Sequence, residues 1–166
     1  WALQHQPTYR RHWQPQRVQR VRPRRLDLGR TMVTLAVADL AVSRGFYERL
    51  GWVEAEGGND NIAFFKLRGL FMGLYSRDKL TDDIGLPIQK RATGSITLAT
   101  NYGSQAEVDV AYKSALDAGA VAITKPEEVF WGGYSGYYAD PDGHLWEMAH
   151  NPFWSFDEDG YLVGNA

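Results

Sequence analysis

Residues 139–150, ADPDGHLWEMAH, hold His144, Glu147 and His150 within seven positions. Imidazoles and carboxylates bind divalent metals and move protons. On a helix the three would gather on one face. The segment comes after Asp140-Pro141-Asp142-Gly143, however, whose residue order suits a type I turn, and then alternates as a strand does. Residues two apart share a strand face. Leu145, Glu147 and Ala149 then lie on one side, and His144, Trp146, Met148 and His150 on the other. Each histidine reads as a strand-end residue hydrogen-bonded to a loop, which leaves Glu147 as the lone carboxylate of its face.

The same turn sets the neighbouring strand. With Pro141 and Asp142 as its centre, Ala139 opposes His144, Tyr138 opposes Leu145, and Gly136 opposes Glu147. That register places Tyr134, Gly136 and Tyr138 beside Glu147, and Tyr137 with Trp146 and Met148 on the opposite face. A bulge in the glycine-rich WGGYSG would flip the part before it.

The elements that must carry these residues recur along the chain. MVTLAVADL alternates as a strand from Met32, and Asp39 is placed to cap the next helix. In that helix Val42, Phe46 and Leu50 form a stripe closed by Gly51. NIAFFKLRG and LFMGLYSR read as strands joined around Arg68-Gly69. Residues 80–94, punctuated by Gly85, Pro87 and Gly94, read as a linker. The pattern then repeats. SITLATN is a strand, and Ser104 and Glu107 form a capping box. Val108, Ala111, Tyr112, Ala115 and Leu116 make the inner helix face, with Gly119 at its end. AVAITKP, GGYSGYYA and HLWEMA are three more strands. Met32-Val-Thr-Leu-Ala aligns with Ser95-Ile-Thr-Leu-Ala at an offset of 63 residues. This implies two strand–helix–strands modules, about 32–79 and 95–150, sharing one domain because neither covers both faces of its sheet alone.

Bulk properties narrow the chemistry. The 166 residues are 44% hydrophobic and 13% aromatic, which suits a packed globule with an apolar pocket. No cysteine is present, so disulfides, thiolate nucleophiles and cysteine-ligated zinc are excluded. That composition fits the cytoplasm. No apolar run approaches the roughly 20 residues needed to span a bilayer. Charge is uneven: residues 1–30 carry eight Arg against Asp27 alone (net +7), while the remainder is acidic. Residues 1–31 read as a disordered basic tail or an expression remnant, and 155–166 as a C-terminal tail. A basic tail also suits a nucleic-acid arm, a membrane-surface patch or a targeting peptide.

Three segments, VADLAVSRGFYERLGW (37–52), EVDVAYKSALDAGA (107–120) and GYYADPDGHLWEMAHNP (136–152), resemble the vicinal oxygen chelate superfamily of glyoxalases, bleomycin-resistance proteins and extradiol dioxygenases. The resemblance spans residues 31 to about 154. It implies an α+β fold of two βαβββ modules, with eight strands in a U-shaped open sheet around a central cavity. It implies a small-molecule ligand and, in similar proteins, often a homodimer. Family metal ligands come from the first and last strand of each module. Here those places hold Met32, Gly73, Ser95 (or Thr97 if the register slips) and Glu147. A lone carboxylate does not hold zinc, nickel, iron or manganese against water, since such sites need about three protein ligands. The expectation is therefore no cofactor and no metal site.

Strand parity gives the cavity lining as Met32, Thr34, Ala36, Phe71, Gly73 and Tyr75 from the first module. Thr97, Asn101, Trp131, Tyr134, Tyr138 and Glu147 come from the second. This set suits a planar or apolar molecule held by stacking, with Glu147 fixing a cation or donor, or serving as a catalytic base. The alternatives are a metal-dependent glyoxalase-like lyase, isomerase or dioxygenase, and an interaction module using the basic tail. A small molecule is the expected partner; a membrane is not, and nucleic acid is not the favoured one. Deleting residues 1–31 is expected to leave cooperative thermal unfolding of the remainder unchanged. Loss of that transition by circular dichroism would make the segment part of the fold.

Overall fold

A computed structural model of the protein describes residues 32–89 and 95–163. The basic tail lies outside the described residues, as do positions 90–94 of the expected linker. The chain runs β1 (Met32–Val37), α1 (Leu40–Arg49), β2 (Glu54–Ala55), β3 (Ile62–Leu67), β4 (Leu70–Ser76) and α2 (Arg77–Ile84). It continues through β5 (Thr97–Asn101), α3 (Gln105–Asp117), β6 (Val121–Glu128), β7 (Tyr134–Ala139) and β8 (Leu145–His150). The strands form two open four-stranded sheets, ordered β1-β4-β3-β2 and β5-β8-β7-β6. In each, the first strand lies parallel to the last and the remaining pairs are antiparallel. This is the expected α+β arrangement of two βαβββ modules, with hydrogen bonding dividing the eight strands four and four.

Local chemistry explains the helices. Asp39 accepts from the backbone N–H groups of Ala41 and Val42, and Ser104 accepts from that of Glu107. The Glu107 carboxylate reaches back to the N–H of Gly103, one residue earlier than a capping box requires. Gly51 and Gly119 come after the two helix ends at φ +85° and +107°, the left-handed region where a side chain would be strained. The α1 stripe differs from expectation. Ser43, Phe46 and Tyr47 are buried, whereas Val42 is exposed. The reason is tertiary: Ser43 and Tyr47 hydrogen-bond to the second module, which rotates that edge of the helix inward. A helix, α2, runs from Arg77, the last residue of the expected strand, into the expected linker, with Gly85 as its left-handed cap.

One core joins the modules. Leu35, Val37, Phe65, Met72 and Leu74 from the first sheet pack with Phe46 and Tyr47. Val108, Tyr112 and Ala115 of α3, and Tyr138, Trp146 and Met148 of the second sheet, complete it. Tyr47 stacks on Trp52 at 4.2 Å between ring centroids and meets Trp146 edge-on at 6.1 Å. Each such ring contributes about 1.5–3 kcal/mol by leaving water.

The polar link between modules is the turn that joins β7 to β8. Asp140 accepts from the Tyr47 hydroxyl at 2.7 Å, from His144 Nδ1 at 2.7 Å, and from the N–H groups of Asp142 and His144. Asp142 accepts from the Ala38 N–H at 2.7 Å, from Ser43 Oγ at 2.6 Å and from Arg77 at 3.3 Å. Burial pushes the Asp140 carboxyl up, but the His144 and Tyr47 hydrogen bonds outweigh it and hold it below the ordinary carboxylate range. A depressed folded-state value stabilises the fold above the unfolded-state value of about 3.9 and loses that contribution as pH falls below it.

Asp140→Ala strands a buried phenol and an imidazole. It is expected to cost about 2–6 kcal/mol in denaturant unfolding, since two buried polar groups lose their acceptor at about 1–3 kcal/mol each. Asp140→Asn is expected to lie closer to the parent protein as the buffer is taken from neutral pH to below about pH 4. A gap that stays constant with pH would show that the carboxylate charge is not what stabilises the turn.

Candidate functional site

The register of β7 on β8 decides which residues surround Glu147. Asp140 N–H donates to the His144 carbonyl and Gly143 N–H to the Asp140 carbonyl, with Gly143 at φ +91°. The turn therefore has three residues between its closing pair, a type I turn extended by a left-handed glycine. Ala139 pairs with Leu145, Tyr138 with Trp146 and Tyr137 with Glu147. This corrects the two-residue turn expected from Asp-Pro-Asp-Gly. The extra residue flips β7 relative to β8, so Tyr137 shares the face of Glu147 while Tyr134 and Tyr138 go to the helix side. Tyr138 is 1% exposed and lies nearly parallel to Trp146, at 7°. The Tyr134 hydroxyl donates to Asp109 of α3 at 2.8 Å.

In the first sheet, Met32 pairs with Phe71, Thr34 with Gly73 and Ala36 with Tyr75, so these six share one face. On β3, Phe64 pairs with Gly73, and its ring centroid is 6.1 Å from that of Phe71. The Tyr75 hydroxyl donates to Asp83 of α2 at 2.7 Å, which raises its own pKa. Met32 covers Gly73: a β-carbon there would meet Met32 Sδ at 3.6 Å and Thr34 Oγ1 at 3.5 Å.

In the second sheet Thr97 pairs with Leu145, Ala99 with Glu147 and Asn101 with Ala149. Thr97, Asn101, Tyr137 and Glu147 thus share one face. Trp131 sits in the turn between β6 and β7, 38% exposed, with its ring over Gly133. Burial first, then a hydrogen bond with Glu147, pushes the Tyr137 phenol up to about 12. Tyr137 therefore stays protonated at neutral pH, with its hydroxyl available to donate on the face it shares with Glu147. Sequence reasoning missed Tyr137 and Phe64. The glycine after Asp-Pro-Asp was the signal for the first, since a left-handed glycine closes three-residue hairpins.

Strand register superposes the two modules. Gly73 and Glu147 both stand three residues before the end of their strands, opposite Thr34 and Ala99. The helix caps Asp39 and Ser104 lie five residues beyond Thr34 and Ala99 respectively. Met32 therefore corresponds to Thr97 rather than Ser95, which precedes β5. The four positions are Met32, Gly73, Thr97 and Glu147: a thioether, no side chain, a hydroxyl and a carboxylate. Such donors do not fit zinc, nickel, iron or manganese, which take imidazoles, carboxylates or thiolates together. Among the described residues no three His, Asp or Glu side chains group to hold an ion.

His150 Nδ1 is 2.9 Å from the Tyr102 carbonyl, as a strand-end histidine bonded to a loop. His144 is likewise tied to Asp140, but it also lines a cleft of about 350 Å³. That cleft lies between β1 and the start of β5 and β8, against Val33, Leu35, Ser95, Ile96 and Leu98.

The family profile of the Glyoxalase/Bleomycin resistance protein/Dioxygenase superfamily matches residues 29–148. An uncharacterised protein of Mycobacterium bovis is 30% identical over 125 residues, 69% of this chain and 78% of that protein. The crystal structure of a glyoxalase-related enzyme from Fulvimarina pelagi is 34% identical, covers 82% of this chain and 97% of that one, and superposes with a TM-score of 0.75. A lactoylglutathione lyase from Agrobacterium tumefaciens shares the fold at 22% identity, with TM-score 0.58, over 76% of this chain and 97% of that one. With its paired modules, parallel first and last strands and matching profile, the chain belongs to the glyoxalase/bleomycin-resistance/dioxygenase superfamily.

Proposed function

We propose that this protein binds a compact planar, largely apolar molecule on its cavity faces, with no resident metal. The observation that carries the reading is an aromatic face on the first sheet and a single carboxylate at the matching position of the second. Phe64 and Phe71 offer ring faces, Met32 fills the space over Gly73, and Glu147 lies opposite Tyr137 on the same face. Stacking supplies area, and a lone carboxylate beside it fixes the orientation of a cation or donor. Glu147 serves here as a binding group, with Tyr137 as its cross-strand neighbour on the same face. The alternative is a metal-dependent lyase, isomerase or dioxygenase, and the donor set at the four family positions argues against it. Location in the cytoplasm and pairing with a second copy belong to the same proposal, the latter supported by the outer sheet edges β2 and β6.

Two measurements test it. Elemental analysis of protein purified without chelator is expected to find substoichiometric zinc, nickel, iron and manganese; one equivalent of any of them overturns the metal-free reading. Proflavine, a planar aromatic cation, is expected to bind in a fluorescence titration. Glu147→Gln and Phe71→Ala should each weaken it about tenfold, the value of one charge-assisted contact or one lost stacking surface. Affinity unchanged in both variants rejects the cavity faces as the site.

A further inference from the structure

The cleft between β1 and β5 is separate from the aromatic and carboxylate surface just described, although Thr34 and Leu145 border both. Its wall is mainly aliphatic: Val33, Leu35, Ile96, Leu98 and Leu145. Both flanking strands are sheet edges, so no ladder of hydrogen bonds closes the gap between them. At about 350 Å³ it falls at the small end of ligand pockets, enough for a single substituted ring.

His144 supplies directional chemistry. Asp140 takes four hydrogen bonds, from the Tyr47 hydroxyl, His144 Nδ1 and two backbone N–H groups. An ionised carboxylate only accepts, so the His144 proton is fixed on Nδ1. In the neutral ring, Nε2 then presents a lone pair. No described residue bonds Nε2, and it is not among the sealed, unpartnered polar atoms of the interior. The His144 side chain is 11% exposed, and its surroundings at the cleft are largely aliphatic. The hydroxyls of Thr34 and Ser95 can turn to suit a ligand oxygen. A ligand here needs one donor and an otherwise apolar body.

We infer that this cleft is a second binding site, for a small monohydroxylated aromatic whose phenolic O–H donates to His144 Nε2. Asp140 acts as the positioning residue, holding the imidazole in the accepting tautomer. The site needs neither Glu147 nor a metal, so it stands whether or not the cavity faces bind a ligand.

The test compares 4-ethylphenol with 4-ethylanisole, its methyl ether, by calorimetry and by chemical-shift mapping on the intact protein. The expected result is a submillimolar Kd for the phenol and at least tenfold weaker binding of the ether, which lacks the donor. Shifts should centre on Val33, Leu98 and the His144 ring. His144→Phe removes the acceptor but also disturbs Asp140, so a second variant is needed. Ser95→Trp, at an exposed position outside β5, should fill the cleft and weaken phenol binding at least tenfold while leaving the unfolding transition in place. Equal affinity for phenol and ether, shifts confined to the Phe71 and Glu147 faces, or full affinity in Ser95→Trp would each overturn the inference.

Discussion

Two buried aspartates in one tight turn hold the halves of this molecule in register. Asp140 and Asp142 belong to the second module, yet they are bonded by Tyr47, by Ser43 and by the Ala38 backbone of the first. Burying a carboxylate is unfavourable unless its lone pairs are filled, and here seven bonds fill them. The turn therefore fits only one placement of α1. That placement sends Phe46 and Tyr47 into the shared core and Val42 into solvent, against the simplest reading of the helix's own periodicity.

The same turn fixes the site. Its left-handed glycine, Gly143, adds one residue to the hairpin and exchanges the faces of β7. Tyr137 thereby meets Glu147, and Tyr138 goes into the core against Trp146. One residue of turn length decides whether a carboxylate faces a phenol or a glycine, because strand faces alternate with period two. It also turns His144 toward the gap between the modules while Asp140 holds its ring. The groups that staple the modules also hold the His144 ring, so substitutions in this turn act on stability and on the cleft's lining together.

Pseudo-symmetry makes clear what this chain has done with its superfamily frame. At the first and last strand of each module it carries Met32, Gly73, Thr97 and Glu147, where the superfamily resemblance implies metal ligands. Met32 lies over the space beside Gly73, so an apolar side chain borders the first module's half of that position. The second module carries a carboxylate there, with the Tyr137 phenol as its cross-strand neighbour. The frame is retained, with one thioether, one hydroxyl and one carboxylate as the side chains at its four positions.

The sequence by itself determined the two modules, the helix caps, the face parity of β1 and β4, and the isolation of Glu147 from His144 and His150. These come from local rules, period two in strands, period 3.6 in helices and the preferences of capping residues, which act within a few positions. Tertiary structure decided the rest. The identical tripeptide Thr-Leu-Ala in β1 and β5 suggested a 63-residue repeat, but strand pairing and the caps set it at 65, making Thr97 rather than Ser95 the counterpart of Met32. Tyr137 beside Glu147, Phe64 beside Phe71, the helix hidden in the linker and the cleft at His144 depend on pairings between strands or on contacts across the modules. Those long-range arrangements are selected by burial and by the need to satisfy two buried carboxylates, and no local window of sequence contains both partners.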